Sequence, residues 1–374
     1  MRIAFVLLAG LLSVAAQAAP LPQATLNRTL WPEQLDSPAL FDVASRAEIL
    51  SFAQVLQESE MLDEPALTAR LQLRQINLAV VRAVRARMWQ RLWENYQQAQ
   101  RSCEQDASFC YPLESMAELR TLAATFTPSV GEFYSGWLEP SRAFHTRYLD
   151  EQLRKAALFP QTSSEVERLS DSERTGDELN DRMFLLTFVG GPTPEGGATD
   201  ELADYLRRQK LGGLFFVLGN RLQQRASSSP VVALYAGQCV GIQGWEYRSH
   251  AQWQDWQASL RRAQARVQSD LPAQYVPLFR PPYGQRRADG EAFMASQKLK
   301  VSLWDIDAQD DSALSAEASA HRVLTLMLLW RKGVIQFHDN LPKAQPAVDW
   351  LLRNTAQSGI GWEDCLEYGQ HEGA

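Results

Sequence analysis

FLLTFVGGPTPEGGATDELADYLRRQKLGGLFFVLGN, residues 184–220, is the stretch that decides the fold. Apolar runs at residues 184–188 and 214–218 flank a Gly-Gly-Pro turn and a polar, helix-prone segment. Strand, glycine turn, helix and strand in this order form a βαβ unit, which requires a parallel sheet. In such a sheet, the loop after a strand's carboxyl end is the usual position of an active site. Here the strand ends in Val189 and Gly190, which supply no charged or nucleophilic group.

Glycine is distributed unevenly and divides the chain of 374 residues into two architectures. Only two glycines lie in residues 19–175, and eighteen follow from residue 176 onward. The first part therefore predicts an all-α helical domain over residues 19–160. After a polar linker at residues 161–181, apolar strands alternate with helices over residues 182–374. This alternation predicts an α/β domain with a mainly parallel sheet, either barrel-like or doubly wound.

The predicted elements follow from apolar periodicity and from the placement of glycine and proline. In the first part we predict helices at residues 45–56, 65–101, 113–124 and 133–158. In the second part the predicted strands are residues 184–188, 214–218, 231–235, 275–279, 300–304 and 333–337. The predicted helices between and after them are residues 199–210, 251–269, 290–297, 316–330 and 347–355.

The amino end predicts export. Arg2 precedes an apolar run at residues 3–14 and the small-residue pattern Ala16-Gln17-Ala18, as in a signal peptide over residues 1–18. An uncleaved anchor is the alternative, but no cluster of positive charge follows the run. Cleavage would leave no transmembrane segment, because no other stretch approaches the ~20 apolar residues that a span needs. We expect a periplasmic or secreted protein.

Charge and cysteine content agree with this compartment. The net charge of −7 and the absence of a basic stripe exclude the electrostatic pattern of a nucleic-acid-binding protein. The four cysteines form an even set, as expected for disulfides in an oxidising compartment. Cys103 and Cys110 bracket a short polar loop and predict a local bridge. Pairing of Cys239 with Cys365 follows by elimination.

Four polar segments near strand ends in the second half concentrate the candidate functional residues. They read QGWEYRSH (residues 243–250), FRPPYG (279–284), WDIDAQDD (304–311) and VIQFHD (334–339). Parallel strands end at one edge of a sheet, so these segments should meet there. In the first segment, Glu246 and His250 have the i, i+4 spacing that could place both on one metal ion, although a surface pair is the commoner explanation of this spacing.

Together these segments resemble the NodB-type polysaccharide deacetylases, carbohydrate esterase family four. TFVGGP and GGLFFVLGN are similar to the family's T-F-D-D-G-P and A-T-F-F-V-x-G-N motifs. FRPPYG is the family's arginine motif unchanged, WDIDAQDD matches W-x-x-D-x-x-D-W except at Asp311, and VIQFHD matches L-x-H-D. The resemblance covers about half of the chain. It implies a deformed seven-stranded (β/α) barrel that removes N- or O-acetyl groups from chitin-like or peptidoglycan-like glycans.

The resemblance also implies a role for individual residues. His338 corresponds to the general acid, Asp307 to the carboxylate that orients it, and Arg280 to the residue that pairs with the catalytic base. His250 and Glu246 correspond to the two metal-binding histidines, if three residues are inserted behind Gly241. The residues expected to form the substrate rim are Tyr283, Trp304 and Asp310.

The chain departs from the family at the two positions that matter most. Val189 stands in place of the base and Gly190 in place of the metal-binding aspartate. Catalytic zinc normally has three protein ligands and a water molecule. We therefore expect an impaired enzyme that binds an acetylated amino-sugar glycan and needs no cofactor. The alternative is an active deacetylase with zinc or another divalent metal in a rewired site. Function through protein contacts of the helical domain also remains open.

Two further expectations concern the surroundings of the cleft. Arg280 loses its carboxylate partner at position 189, so we expect a more positive pocket that suits an anionic sugar or a carboxylate-bearing peptide. The many aromatic residues of the helical domain could stack on sugar rings. Most of them lie at helical spacing beside aliphatic residues, which favours a packing role.

Overall fold

The structure is a computed structural model that describes residues 22–126, 131–158, 170 and 173–370. The predicted signal peptide lies outside these residues, as does much of the predicted linker. Within the described part of the chain, no helix combines the length and apolar character that crossing a membrane requires.

The first part of the chain is helical, as predicted. Its helices are α1 (Pro38–Glu60), α2 (Glu64–Arg70), α3 (Leu78–Ala99), α4 (Met116–Ala123) and α5 (Ser135–Leu158). The single helix predicted over residues 65–101 is wrong, because α2 ends before α3 begins. The Asn77 side chain accepts hydrogen bonds from the amides of Ala79 and Val80 and so begins a new helix.

The second part is built on a curled sheet whose strands all run parallel. The strands are β1 (Met183–Val189), β2 (Leu214–Val217), β3 (Cys239–Ile242), β4 (Tyr275–Phe279), β5 (Lys300–Val301), β6 (Ile306–Asp307), β7 (Gly333–His338) and β8 (Gly361–Trp362). Seven of them follow the order β5-β4-β3-β2-β1-β7-β6, and β8 pairs with β1. The predicted deformed seven-stranded (β/α) barrel, preceded by an all-α region, is confirmed by this strand order and by the helices that precede it.

Helices cover the outside of this sheet. They are α6 (Ala198–Gln209), α7 (Gly219–Ala226), α8 (Val231–Leu234), α9 (Trp256–Asp270), α10 (Glu291–Ser296), α11 (Ala316–Trp330), α12 (Ala344–Thr355) and α13 (Cys365–Gln370). The strand predicted at residues 231–235 is wrong, since this run forms α8. A short apolar run suits a buried helical turn as well as a strand. The strand that pairs with β2 at this point of the chain is instead β3, and the amide of its first residue, Cys239, donates to the Gly213 carbonyl at 3.0 Å.

The segment before β1 completes the curled sheet. Arg174 pairs in parallel with Ser302, and the Gly176 amide donates to the Asp305 carboxylate at 2.7 Å. A Cβ on Gly176 would lie 2.3 Å from the Gly333 Cα, so this backbone passes against the start of β7. Residues 174–176 therefore lie between the end of β5 and the beginning of β7, within the segment that we predicted as linker.

The helical region packs on α11 of the barrel. From Ser319 to Trp330 every residue of this helix is buried. Ser45 of α1 and Asn95 of α3 donate to the carbonyls of Leu328 and Leu329, at 2.7 and 3.0 Å. The Trp330 indole donates to the Tyr148 hydroxyl of α5 at 2.9 Å. One apolar core therefore continues from the helical region into the barrel.

Both predicted disulfides are present. Cys103 and Cys110 bridge the loop after α3, with 6.0 Å between their Cα atoms. Cys239 and Cys365 join the start of β3 to the start of α13, with 5.9 Å between their Cα atoms. The second bridge attaches the end of the described chain to the barrel, at the edge opposite the strands' carboxyl ends.

Candidate functional site

A cleft of about 320 Å³ opens where the barrel strands end. Parallel strands bring their following loops to the same edge, so the polar segments singled out in the sequence meet here. The residues that line the cleft are Lys155, Val189, Gln243, Tyr247, Pro281, Tyr283, Gln285, Trp304, Asp307, Asp311, Gln336 and His338.

The turn after β1 forms part of the cleft floor and is held entirely by protein groups. The Gly190 amide donates to the Gln243 side-chain oxygen at 3.0 Å, and the Gly191 amide donates to the Asp339 carboxylate at 2.8 Å. Gly190 has φ +96°, and a Cβ there would lie 2.6 Å from the Asn340 side-chain oxygen. This backbone conformation and this neighbour both favour glycine, so a side chain at position 190 would strain the turn and displace the Asn340 side chain.

His338 is the imidazole of the cleft, at the end of β7 and directly opposite Val189 of β1. Its Nδ1 lies 2.8 Å from the Asp310 carboxylate, and its backbone amide donates to the same carboxylate at 3.0 Å. Burial disfavours the imidazolium, but the hydrogen bond to Asp310 and the charges of Asp310, Asp311 and Asp307 outweigh it and raise the pKa to about 9. His338 is therefore an imidazolium at neutral pH.

The partner of His338 differs from the expectation. Asp307, expected to orient the imidazole, instead accepts hydrogen bonds from the backbone amide and the side-chain amide of Gln309, at 3.0 and 2.8 Å. Gln309 has φ +54°, and the tight turn that it makes after β6 carries Asp310 beneath His338. Asp310 is fully buried there, rather than on the rim where the sequence placed it.

Asp339 holds the floor from the other side. Its carboxylate accepts hydrogen bonds from the Gly191 amide at 2.8 Å and from the Thr199 hydroxyl at 3.0 Å. Burial raises the pKa of Asp339 to about 7, although these hydrogen bonds and the nearby His338 act in the opposite direction. The residue couples the end of β7 to the turn after β1.

Arg280 does not reach the cleft. It is fully buried, and its guanidinium donates to the carbonyls of Ser302 and Leu303, at 3.1 and 2.9 Å, and to the Thr187 hydroxyl at 2.5 Å. Burial lowers its pKa to about 9. The expectation that Arg280 makes the pocket positive is wrong, because neutral oxygens inside the barrel take up its hydrogen bonds.

Aromatic side chains form the rim. Tyr247 and Tyr283 are both exposed, and their ring centroids lie 4.7 Å apart. Tyr283 keeps a left-handed backbone with φ +61°, a conformation that costs free energy in a residue other than glycine. Trp304 lies deeper and is 5% exposed. The rim therefore combines two outer rings with one inner ring.

The residues considered for a metal do not line the cleft. His250 is buried, lies 3.0 Å from the Ser259 hydroxyl and lines a separate small cavity beside Trp256 and Arg286. Burial lowers its pKa to about 4, so it is neutral. Glu246 is half-buried and is not among the residues that line the cleft.

Gln243 and Tyr247, which also lie four residues apart, occupy the cleft beside Gly190 instead. Burial, with smaller contributions from Tyr283, Asp311 and Asp307, raises the pKa of Tyr247 to about 12, so its phenol stays neutral. Across the residues that the structure describes, no three His, Cys, Asp or Glu side chains form a group that could hold a metal ion. The divalent metal that the family resemblance implies does not fit these residues.

Sequence reasoning missed several lining residues. Gln243 follows a strand that was not predicted, and Gln336 lies within a predicted strand, where alternation of side chains could have indicated an inward position. Lys155 belongs to the helical region, and its sequence neighbours carry no signal that it reaches the cleft. Only the packing of α5 on the barrel shows it.

The comparisons with known proteins agree with this geometry. Residues 176–302 match the family model described as polysaccharide deacetylase. A curated relative, the peptidoglycan-N-acetylmuramic acid deacetylase PdaC of Bacillus subtilis (strain 168), is 26% identical over 214 residues, which cover 57% of this chain and 44% of that protein. The chain thus spans less than half the length of this relative.

Two solved structures are also similar. The peptidoglycan N-acetylglucosamine deacetylase Bc1960 is 20% identical, with a TM-score of 0.48 over 54% of this chain and 93% of that one. BA3943, a CE4 family pseudoenzyme from Bacillus Anthracis, is 18% identical, with a TM-score of 0.44 over 50% of this chain and 65% of that one. The family match identifies a polysaccharide deacetylase domain over residues 176–302 of this chain, and the parallel barrel topology is consistent with that match.

Proposed function

We propose that this domain binds an acetylated amino-sugar glycan without hydrolysing it. The observation that carries the proposal is the floor of the cleft, where Val189 and Gly190 occupy the positions that the family resemblance assigns to the base and to the metal-binding aspartate. Valine cannot accept a proton and glycine offers no ligand atom. Loss of a general base alone typically costs a factor of about 10²–10⁴ in rate.

The remaining cleft residues can bind but lack a partner for chemistry. The imidazolium of His338 can donate a proton, but hydrolysis also requires a group that activates water. Asp310 is engaged by His338 and Asp307 by Gln309, and the third carboxylate of the cleft, Asp311, lies 3.8 Å from the His338 Nε2 as its ion-pair partner. Aromatic faces beside amide side chains suit the apolar faces and hydroxyl groups of a sugar ring. Such a lining is provided by Tyr247, Tyr283, Trp304, Gln243, Gln285 and Gln336.

The compartment and the glycan are part of the same proposal. The predicted signal peptide and the two disulfides support a periplasmic or secreted protein. The name of the relative PdaC supports a peptidoglycan-like ligand that carries acetyl groups, and the chitin-like alternative rests on the family resemblance. No observation favours the rewired metal site, since His250 and Glu246 lie apart from the cleft lining.

The test combines metal analysis, acetate release and binding on the purified mature protein. We expect less than stoichiometric divalent metal, no acetate from N-acetylated chito-oligosaccharides or peptidoglycan, and saturable binding of one of them. Tyr247→Ala should weaken that binding by about tenfold, because stacking on an aromatic ring contributes about 1 kcal/mol or more. Phe133→Ala, at an exposed aromatic residue outside the cleft, is the matched control.

Stoichiometric metal together with acetate release would overturn the proposal in favour of an active deacetylase. A protein that binds neither glycan would overturn the proposed ligand class.

A further inference from the structure

The carboxylates after β6 carry little compensating positive charge. Asp307 lines the cleft and is 7% exposed, and its two oxygens accept hydrogen bonds from the neutral amides of Gln309, at 3.0 and 2.8 Å. Among the residues that the structure describes, no arginine, lysine or histidine forms an ion pair with Asp307. A carboxylate that is buried without a cation is costly, so Asp307 favours the approach of a positive group.

Asp311 places a second carboxylate in the same space. Its side chain is 54% exposed and lies 3.8 Å from the Nε2 of His338, which is longer than a hydrogen bond. Asp310 already holds the other ring nitrogen of His338 at 2.8 Å. Lys155 also lines the cleft, and the three carboxylates outnumber the positive charges of this lysine and of His338. The cleft therefore carries an excess of negative charge.

The rim of the cleft lies in the field of the same carboxylates. Burial raises the pKa of Tyr247 to about 12, and electrostatic interactions with Tyr283, Asp311 and Asp307 add to this shift. Tyr247 follows β3, whereas the two carboxylates follow β6, and three strands separate β3 from β6 in the sheet order. The negative potential thus extends across the cleft and is not confined to one strand end.

An unpaired donor in the cleft points to a ligand that carries oxygen atoms. Trp304 is 5% exposed and lines the cleft, and its indole Nε1 is buried without a hydrogen-bond partner in the part of the chain that the structure describes. Leaving such a donor unsatisfied is costly, and a hydroxyl oxygen of a ligand would satisfy it. The aromatic faces of Tyr247 and Tyr283 at the rim suit a cation as well as the apolar face of a sugar.

We propose that the cleft selects a glycan unit whose amino group is free, and that this ammonium binds beside Asp307 and Asp311. This inference rests on the proposed function, because it concerns which unit of the acetylated glycan occupies the cleft. An N-acetylated unit presents a neutral amide, which compensates neither carboxylate. A free amine in the same position is protonated and supplies the missing positive charge.

The inference also places the protein in a reaction sequence. A free amine arises in such a glycan when its acetamide is hydrolysed: the oxygen of water bonds to the acetyl carbon, the C–N bond breaks, and the nitrogen takes up a proton as acetate leaves. An amide-hydrolysing enzyme must therefore act on the glycan before this protein binds it. The protein would then recognise the product of deacetylation rather than carry out the reaction.

The test uses three N-acetylated chitotetraoses that differ at one internal unit, which carries an amine, an acetamide or a hydroxyl group. The hydroxyl group is neutral and similar in size to the amine. Binding is measured by calorimetry at about pH 6, where the carboxylates are ionised and the amine is protonated. Wild-type protein should bind the amine form about three- to tenfold more tightly than the hydroxyl form, as expected for a partly screened ion pair. Higher salt should reduce this preference.

Variants with a matched control assign the preference to the two carboxylates. Asp311→Asn should remove most of the preference for the amine form, and Asp307→Asn should do the same. Asp204→Asn is the control and should keep the full preference, because Asp204 of α6 is also 54% exposed but lies outside the cleft lining. Each variant is judged by the ratio of its affinities for the amine and hydroxyl forms, so a general loss of binding does not imitate a loss of charge selectivity.

Different outcomes overturn different claims. Equal binding of the amine and hydroxyl forms, or tighter binding of the acetamide form than of the amine form, would overturn this inference alone. A preference that survives both cleft substitutions, or that Asp204→Asn also loses, would overturn it as well, since the overall negative charge of the protein would then be the cause. Absence of binding to all three saccharides would overturn the proposed function and this inference with it.

Discussion

Two histidine–carboxylate pairs, one in the helical region and one in the cleft, have the same chemistry in different surroundings. His145 lies 2.8 Å from the Glu48 carboxylate, and both are fully buried. Glu48 also accepts hydrogen bonds from Trp137 and Ser141, each at 2.8 Å, and pairs with Arg28. His338 pairs with Asp310 through Nδ1 at 2.8 Å, and its Nε2 lies 3.8 Å from the Asp311 carboxylate, which also lines the cleft.

The difference shows that access to solvent, rather than the pair itself, separates a structural histidine from a candidate functional one. Burial alone would raise the pKa of Glu48, but Arg28, His145 and Ser141 outweigh it and lower the pKa to about 2. All the partners of Glu48 are protein groups, so no position is open for a ligand. In the cleft, Asp310 fixes the imidazole, while Nε2 faces a solvent-exposed carboxylate, that of Asp311, at the looser distance of 3.8 Å.

The largest expected effect is on the buried pair. Glu48→Gln leaves Arg28 buried without its counter-charge, and breaking a buried ion pair in this way costs about 3–5 kcal/mol. The decrease in the free energy of unfolding is measured by guanidinium denaturation of the whole chain. Glu58→Gln, which removes a carboxylate that is 51% exposed in its pair with Arg142, should change stability by less than about 1 kcal/mol. Equal effects of the two variants would contradict the comparison.

The second prediction concerns pH and the cleft pair. The pKa of His338 is raised from 6.5 to about 9, so its pairing stabilises the fold fully below pH 6.5, and this contribution is lost as pH rises through 9. We expect the free energy of unfolding to fall by about 2 kcal/mol between pH 7 and pH 9.5. The raised pKa of Asp339, about 7, acts in the same direction but mainly below this window.

Asp310→Asn is the control for this pH dependence. Without the Asp310 charge the pKa of His338 should fall, and the loss of stability above pH 7 should largely disappear. NMR titration of the imidazole resolves the same shift directly. A pKa near 6.5 for His338 in the unaltered protein would contradict the assignment.

The third and smallest expected effect tests whether the turn at the cleft floor requires glycine at position 190. Gly190→Ala places a Cβ at φ +96° and close to Asn340, and should destabilise the protein by about 1–2 kcal/mol. Gly237→Ala is matched in backbone conformation, with φ +74°, but a Cβ there meets nothing within 4 Å. Gly237→Ala should lower the free energy of unfolding by less than Gly190→Ala does, and the difference between the two losses measures the contribution of the contact with Asn340. If the two variants lose the same stability, the contact with Asn340 costs nothing. A larger side chain such as a carboxylate would then be sterically acceptable at position 190.

Particular residues show how far the sequence could be interpreted. The predicted deacetylase resemblance is confirmed by the family match, and the motifs of residues 279–284 and 334–339 do lie at strand ends around one cleft. Residues 231–235 were misassigned because apolar content alone does not separate a helical turn from a strand. Glu246 and His250 were chosen for their spacing, but the backbone after β3 places Gln243 and Tyr247 in the cleft instead.

The sequence by itself determined the parallel α/β architecture, the even set of cysteines and the presence of Val189 and Gly190 where the family resemblance leads us to expect two carboxylates. These follow from residue identity and local periodicity, which the chain carries before it folds. The tertiary structure alone decided that Asp310 rather than Asp307 holds His338, that Arg280 is withdrawn from the cleft and that Lys155 enters it. Each of these depends on a turn or a helix contact between distant parts of the chain, where partners are set by packing rather than by spacing.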